Sequence, residues 1–312
     1  MPEDDEDRTA SLMTPAKLAQ VASKPKAPVS PAAWLDKMAT GAGHQHVHRL
    51  AELRADLQLQ ATKRDFSPLA QHLAALAEVL PQLDFGLLQQ KGGLLSRLSG
   101  KAKATMAEFA TQVDRIEEAM DELATQAKSL QNRQGDQASG TDRTLLEFEV
   151  EFRGIEKIID QSARWLQDMR NQLKAREAEA GDEAAHQQIR EDAQRCELLV
   201  ARLKLLRALS SAAQTSQQQA QATAARRAAL VQSLQGVVAS RIRDWRARMT
   251  LLAAAAREGE SAGLGLEGPM DSHRELQLCV KDALADCAQV QAHEQALADG
   301  LDALGPHLQA AG

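Results

Sequence analysis

The chain has 312 residues, 44% apolar and 26% charged, with a formal net charge of -6. That balance argues against bulk nucleic-acid binding, which needs a basic surface, and no run approaches the ~18 apolar residues of a membrane-crossing helix. Three Trp, five Phe and no Tyr leave little material for a thick globular core, while the abundant Ala, Leu, Gln, Glu and Arg are good helix formers.

Residues 1–30 open with MPEDDED and then carry Pro15, Pro25 and Pro28. An acidic start is not the positive n-region of a signal peptide, so a cytoplasmic location is the default. The composition reads as a disordered tail. Residues 31–80 read as a cap of short helices, the first begun by Pro31 after Ser30. GAGHQHVH at Gly41–His48 places His44 and His48 four apart, on one helical face. No cysteine or carboxylate lies nearby in sequence to complete a metal set, so a polar loop and helix start is expected there. Leu69, Leu73, Leu76 and Leu80 then mark one face that must be buried.

Residues 81–103 form a glycine-rich connector, PQLDFGLLQQKGGLLSRLSGKAK. Its leucines suggest a segment that packs down as a hinge. Lys91, Arg97, Lys101 and Lys103 leave open a basic amphipathic reading, with residues 87–103 touching a membrane surface or an acidic partner. GKAK lacks the upstream glycine and the following Ser or Thr of a phosphate loop.

A three-helix trunk is expected over 104–258. Phe109, Val113, Ile116, Met120, Leu123, Ala127 and Leu130 alternate steps of four and three. Phe148, Phe152, Ile155, Ile159, Ser162, Leu166, Met169 and Leu173 form a second seam of the same kind. GDQASGTD at Gly135–Asp142 reads as the polar turn of an antiparallel hairpin between them. A break at Gly181 leads into the long stretch from Asp182 to about Glu258, which as one helix would span about 110 Å. Its stripe runs through Ile189, Cys196, Leu199, Leu203, Leu206, Ser210 and Ala213. It resumes at Leu230, Leu234, Val238, Ile242, Trp245, Met249 and Leu252. Between them SSAAQTSQQQAQAT, at Ser210–Thr223, is either a narrow seam of close helix approach or a polar groove or hinge. After a link rich in glycine, a last helix over 270–305 carries Leu276, Val280, Ala283, Cys287, Val290, Leu297 and Leu301, with Gly305-Pro306 as its stop. The three cysteines, Cys196, Cys279 and Cys287, show no CxxC or metal spacing and read as small buried apolar residues.

The fold class that follows is all-α, an elongated antiparallel helical bundle or coiled-coil rod with a long central helix. No nucleophile motif, metal cluster or glycine loop after a strand emerges, so neither an enzyme nor a cofactor is expected. Arg226, Arg227, Arg241, Arg243, Arg246 and Arg248 are candidates for oxyanion contact, because guanidinium groups pair oxyanions bidentately. Trp245, among them, is a candidate anchor at a partner interface, where Trp and Arg are enriched. Heptad faces beyond the need of one thin bundle also suggest a homo-oligomer.

The order of segments resembles that of the TelA-like toxic anion (tellurite) resistance family of bacterial cytosolic proteins. The likeness rests on three features: the connector FGLLQQKGGLLSRLSGKAK, the helix-pair region, and a long helix that runs from leucine-rich through Gln-rich to Ile242-x-x-Trp245. It covers most of Leu69–Leu304 and carries over no catalytic residue. It implies a non-enzymatic scaffold or adaptor in tellurite or envelope stress, acting through protein partners. The alternatives are direct oxyanion binding by Arg226, Arg227, Arg241 and Arg248 beside Trp245, or a structural coiled-coil protein with no role towards anions.

Overall fold

A computed structural model describes residues 31–89, 101–259 and 265–312. The expected tail at 1–30 and residues 90–100 of the connector, with Lys91 and Arg97, lie outside them, and the side chains of Lys101 and Lys103 are not described. The described chain is all-α. Its helices are α1 (Pro31–Gly41), α2 (His44–Thr62), α3 (Ser67–Val79), a single short turn α4 (Gly86–Gln89), α5 (Lys101–Glu179), α6 (Glu183–Ser233), α7 (Ala239–Glu258) and α8 (Glu267–Ala311). No helix among the described residues is long and apolar enough to cross a membrane.

The chain forms two compact units. In the first, the described residues 31–44 pack with Lys157–Leu206. Ile159, Leu166, Met169 and Leu173 of α5 are buried, as are Ile189, Cys196, Leu199, Leu203 and Leu206 of α6. Asp182 starts α6, its carboxylate accepting the Ala185 N–H at 2.7 Å. Arg176–Asp192 at 2.8 Å and Arg170–Glu197 at 3.0 Å set the two helix segments antiparallel. Arg202, itself buried, donates Nε and Nη2 to the Ala42 carbonyl at 3.2 and 2.9 Å. A cation there suits the negative end of α1. Gly43 then turns the chain at φ 75°, with a Leu206 methyl 3.3 Å from where a Cβ would sit. Ser162 occupies a seam position at 1% exposure, and its hydroxyl has no hydrogen-bond partner. Ser162→Ala is therefore expected to stabilise the protein by about 1 kcal/mol, because an unsatisfied buried hydroxyl costs more than the methyl that replaces it. Urea unfolding of the two proteins measures this.

The second unit comprises Gln45–Glu156 and Arg207–Gly312. One continuous core joins the buried faces of α3, α5, α6, α7 and α8, and includes Leu83, Phe85 and Leu88 from the segment after α3. Arg257–Asp114 at 2.5 Å and Gln217–Glu149 at 3.0 Å show α5 running antiparallel to the strip from α6 to α7. Small residues let α6 and α8 approach closely: the Ser216 hydroxyl lies 3.5 Å from the Gly300 carbonyl, and a Cβ on Gly300 would fall 2.7 Å from Gln219 Oε1. The Ser210–Thr223 stretch is thus a narrow seam, with Ser216, Gln217, Ala220 and Thr223 all buried.

Two expectations are corrected. No turn exists at Gly135–Asp142, because α5 is helical throughout. Thr141 and Thr144 return their hydroxyls to the carbonyls of Gln137 and Gly140, at 3.0 and 2.9 Å, so they extend the helix rather than cap a new one. Side chains from α2 and the link after it also hold both threonines in the interior, with Arg64 Nη2 2.7 Å from the Thr141 hydroxyl and Gln60 Nε2 3.3 Å from that of Thr144. Gly305-Pro306 does not stop the last helix, which begins at Glu267 and contains Pro306. Arg54 lies over Gly305 and donates Nε to the Leu301 carbonyl at 2.5 Å, while Leu308 and Ala311 beyond the proline are buried. Burial of that last turn outweighs the hydrogen bond that proline removes. The long stretch from Glu183 to Glu258 changes pitch at Leu234–Val238, a π-helical turn in which the Ala239 N–H reaches back to Leu234. Gly236 sits in that turn.

Candidate functional site

The arginine-rich end of the strip holds its candidates in different ways. Trp245 is fully buried in the core, so it fills the seam and is not an exposed anchor. Its Nε1–H donates to His273 Nδ1 at 3.0 Å, and the His273 ring meets Phe85 edge-on with centroids 5.6 Å apart. Arg241 pairs with Glu275 at 2.6 Å. Arg246 pairs with Asp121 and also donates to the Glu117 carbonyl at 3.3 Å. Arg248 and Arg243 are exposed, and the Arg248 guanidinium lies against Gly268. Arg226 donates to Gln289 at 3.2 Å. These arginines are spread along α6 and α7, and their partners differ from one to the next.

Acceptance of the Trp245 N–H requires the neutral His273 ring with Nδ1 free of a proton. Burial, opposed by a contact with the Leu80 carbonyl, holds this imidazole below its ordinary range. An unfolded histidine takes its proton near pH 6.5, so the stability contributed by neutral His273 is complete above that value and lost as the pH falls below it. The urea midpoint followed by tryptophan fluorescence is expected to drop between about pH 7 and about pH 5, and less so in His273→Gln.

Arg227 behaves differently from its neighbours. It is buried at 3% exposure on the seam of α6 and gives Nη1 to Glu294 Oε1 of α8 at 2.5 Å. The second oxygen of Glu294 makes no hydrogen bond and lies 3.9 Å from Nη1 of Arg64, whose side chain is also buried. Two guanidinium groups thus share one carboxylate. Burial, with repulsion from Arg227, pulls the Arg64 pKa down to about 10, with Glu294 opposing. Thr141 of α5 completes the layer: its hydroxyl accepts from Arg64 and lies 2.9 Å from Gln60 Oε1.

A cleft of about 280 Å³ opens beside this layer. Arg64 and Arg227 line it together with Gln134, Gln137, Thr141 and Asp142 of α5 and the small residues Ala224, Ala225 and Ala228 of α6. A larger hollow of about 700 Å³ lies on the other side of Arg64, lined by Asp65, Glu294 and Asp302 among others.

Sequence reasoning singled out Arg227 but missed Arg64 and Glu294. A signal for Glu294 was present. It stands four after Val290 and three before Leu297, at a position where the seam calls for an apolar residue. Arg64, in TKRDF between two helices, carries no such mark.

In the histidine segment two rings lie beside carboxylates. His44 begins α2, His46 Nδ1 lies 2.7 Å from Glu151, and His48 lies 3.3 Å from Glu52. The carboxylates arrive from α5 and from one turn along α2, but no group of three potential ligands forms among the described residues. Cys196 and Cys287 are buried and Cys279 is partly buried; all three are free, with thiol pKa values raised by burial. No family model matches the chain, and no curated protein or solved structure matches it either.

Proposed function

We propose that the chain is a non-enzymatic helical adaptor that acts through protein–protein contacts in resistance to toxic anions such as tellurite or to envelope stress. The setting rests on the segment order and the Ile242-x-x-Trp245 pattern. The mode of action rests on one observation in the first unit. While Leu199, Leu203 and Leu206 of α6 are buried, Leu198, Ala201 and Leu205 on its outer side are exposed, the two leucines at 62% and 40%. Spacings of three and four give α6 a second seam of the kind that packs against another helix. A helix that is apolar on both sides is normally buried on both.

A photo-crosslinking residue in place of Ala201 tests this in cells, with Lys174, an exposed position on α5, as the comparison. One discrete adduct from position 201 and none from 174 is the expected result. No adduct from 201, or equal smears from both, would remove the proposal.

The second reading, direct oxyanion handling, loses support at Arg241, which is paired with Glu275, and at Trp245, which is buried in the core. The buried pair Arg64 and Arg227 is a separate matter.

A further inference from the structure

Burying an ion costs several kcal/mol unless a partner and hydrogen bonds compensate it. The polar layer of the second unit holds two buried cations, Arg64 and Arg227, against one buried anion, Glu294. Asp142, at the rim of the cleft, is exposed and therefore solvated. Among the described residues, one positive charge in the interior is left without a buried counter-charge. Glu294 cannot serve both cations equally, because one oxygen bonds Arg227 at 2.5 Å and the other stays 3.9 Å from Arg64. Each guanidinium carries five N–H donors in a planar fork suited to oxyanions.

The polar residues are also placed where a bundle does not need them. Thr141 and Thr144 of α5, Thr223 and Arg227 of α6, and Glu294 of α8 all occupy positions on the buried faces of their helices. Along the same faces, Leu130, Phe148, Leu230, Val290 and Leu297 are apolar. Three helices thus interrupt their apolar faces at one level, and the alanines of α6 leave a hollow there. Space, excess positive charge and donors coincide.

We propose that the cleft between α5 and α6 binds a small inorganic oxyanion of the phosphate or sulfate class, held by Arg64 and Arg227. The guanidinium groups bond the anion oxygens, and the Gln134 and Gln137 amides supply polar contacts at the wall. A volume of about 280 Å³ suits a free ion better than a nucleotide or a phosphopeptide. The alanines on one wall leave no apolar recess for a larger organic group. This site lies apart from the outer face of α6 and stands or falls independently of the adaptor reading.

The test is calorimetric titration of the full chain with inorganic phosphate in a low-chloride buffer, repeated with sulfate. Saturable binding near one ion per chain is expected for wild type. Arg64→Gln and Arg227→Gln are expected to weaken it at least tenfold, while Arg241→Gln, which removes only the surface pair with Glu275, leaves it unchanged. Ala224→Leu keeps every charge and fills the cleft, so it serves where an arginine variant fails to fold, and it too is expected to abolish binding. The melting temperature of wild type should rise with phosphate concentration, and that of Ala224→Leu should not. No saturable binding to folded wild type overturns the proposal. Equal affinity in wild type and folded Ala224→Leu overturns it as well, since the ion would then sit elsewhere.

Discussion

Glu294→Ala is expected to destabilise the protein by about 3–5 kcal/mol, because it strips from two buried guanidinium groups the carboxylate they share. Arg227 then loses its 2.5 Å partner and Arg64 its nearest buried counter-charge, and neither side chain reaches solvent freely. The cost is that of the charges left behind rather than the net worth of the pair. Two companions make the cause visible. Glu294→Gln keeps the shape and removes the charge, so it should still lose most of that stability. Arg64→Met in the Glu294→Ala background removes one stranded cation and should recover part of the loss. Urea unfolding followed by circular dichroism reads all three. Full additivity of the two substitutions would show that the groups do not act as one unit.

Trp245→Ala should cost a comparable amount, about 3–5 kcal/mol, through a large cavity in the second unit. The indole is fully buried in the same core as Ile242, Met249 and Leu252. The substitution also orphans His273 Nδ1, which accepts the indole N–H. Trp245→Phe keeps much of the volume but loses that hydrogen bond. It is therefore expected to fall between the two, and the fall of its midpoint between about pH 7 and about pH 5 should be smaller, because neutral His273 has lost its donor. A folded, active Trp245→Ala of unchanged stability would contradict the placement of this residue in the core.

The apolar seams were legible because a helix must bury one stripe, and stripe residues recur at spacings of three and four. Every residue read into the seams of α3, α5, α6, α7 and α8 is buried, except Ala127 at the edge of α5, which is partly buried. The illegible parts have local causes. Gly135, Gly140 and Thr141 read as a turn because their own preferences favour one. The contacts that keep them helical come from Arg64 and Gln60, more than seventy positions away in sequence. Pro306 read as a stop because a proline breaks a free helix, but the burial of Leu308 and Ala311 decides the matter. The polar layer was half legible. Arg227 stood out in a run of arginines, for the wrong reason. Glu294 was hidden by reading the seam from Val290 straight to Leu297. Arg64 lies off any helix face, so no periodicity could mark it.

Growth across a range of tellurite concentrations tests the adaptor claim most directly. The strains are a deletion strain, its complement with the wild-type gene, and its complement with Leu198→Glu/Leu205→Glu, shown to be folded and equally abundant. The account predicts that the deletion strain is sensitive, that the wild-type gene restores growth and that the double variant does not. A deletion strain that grows like its parent, or a double variant that restores growth fully, would contradict it.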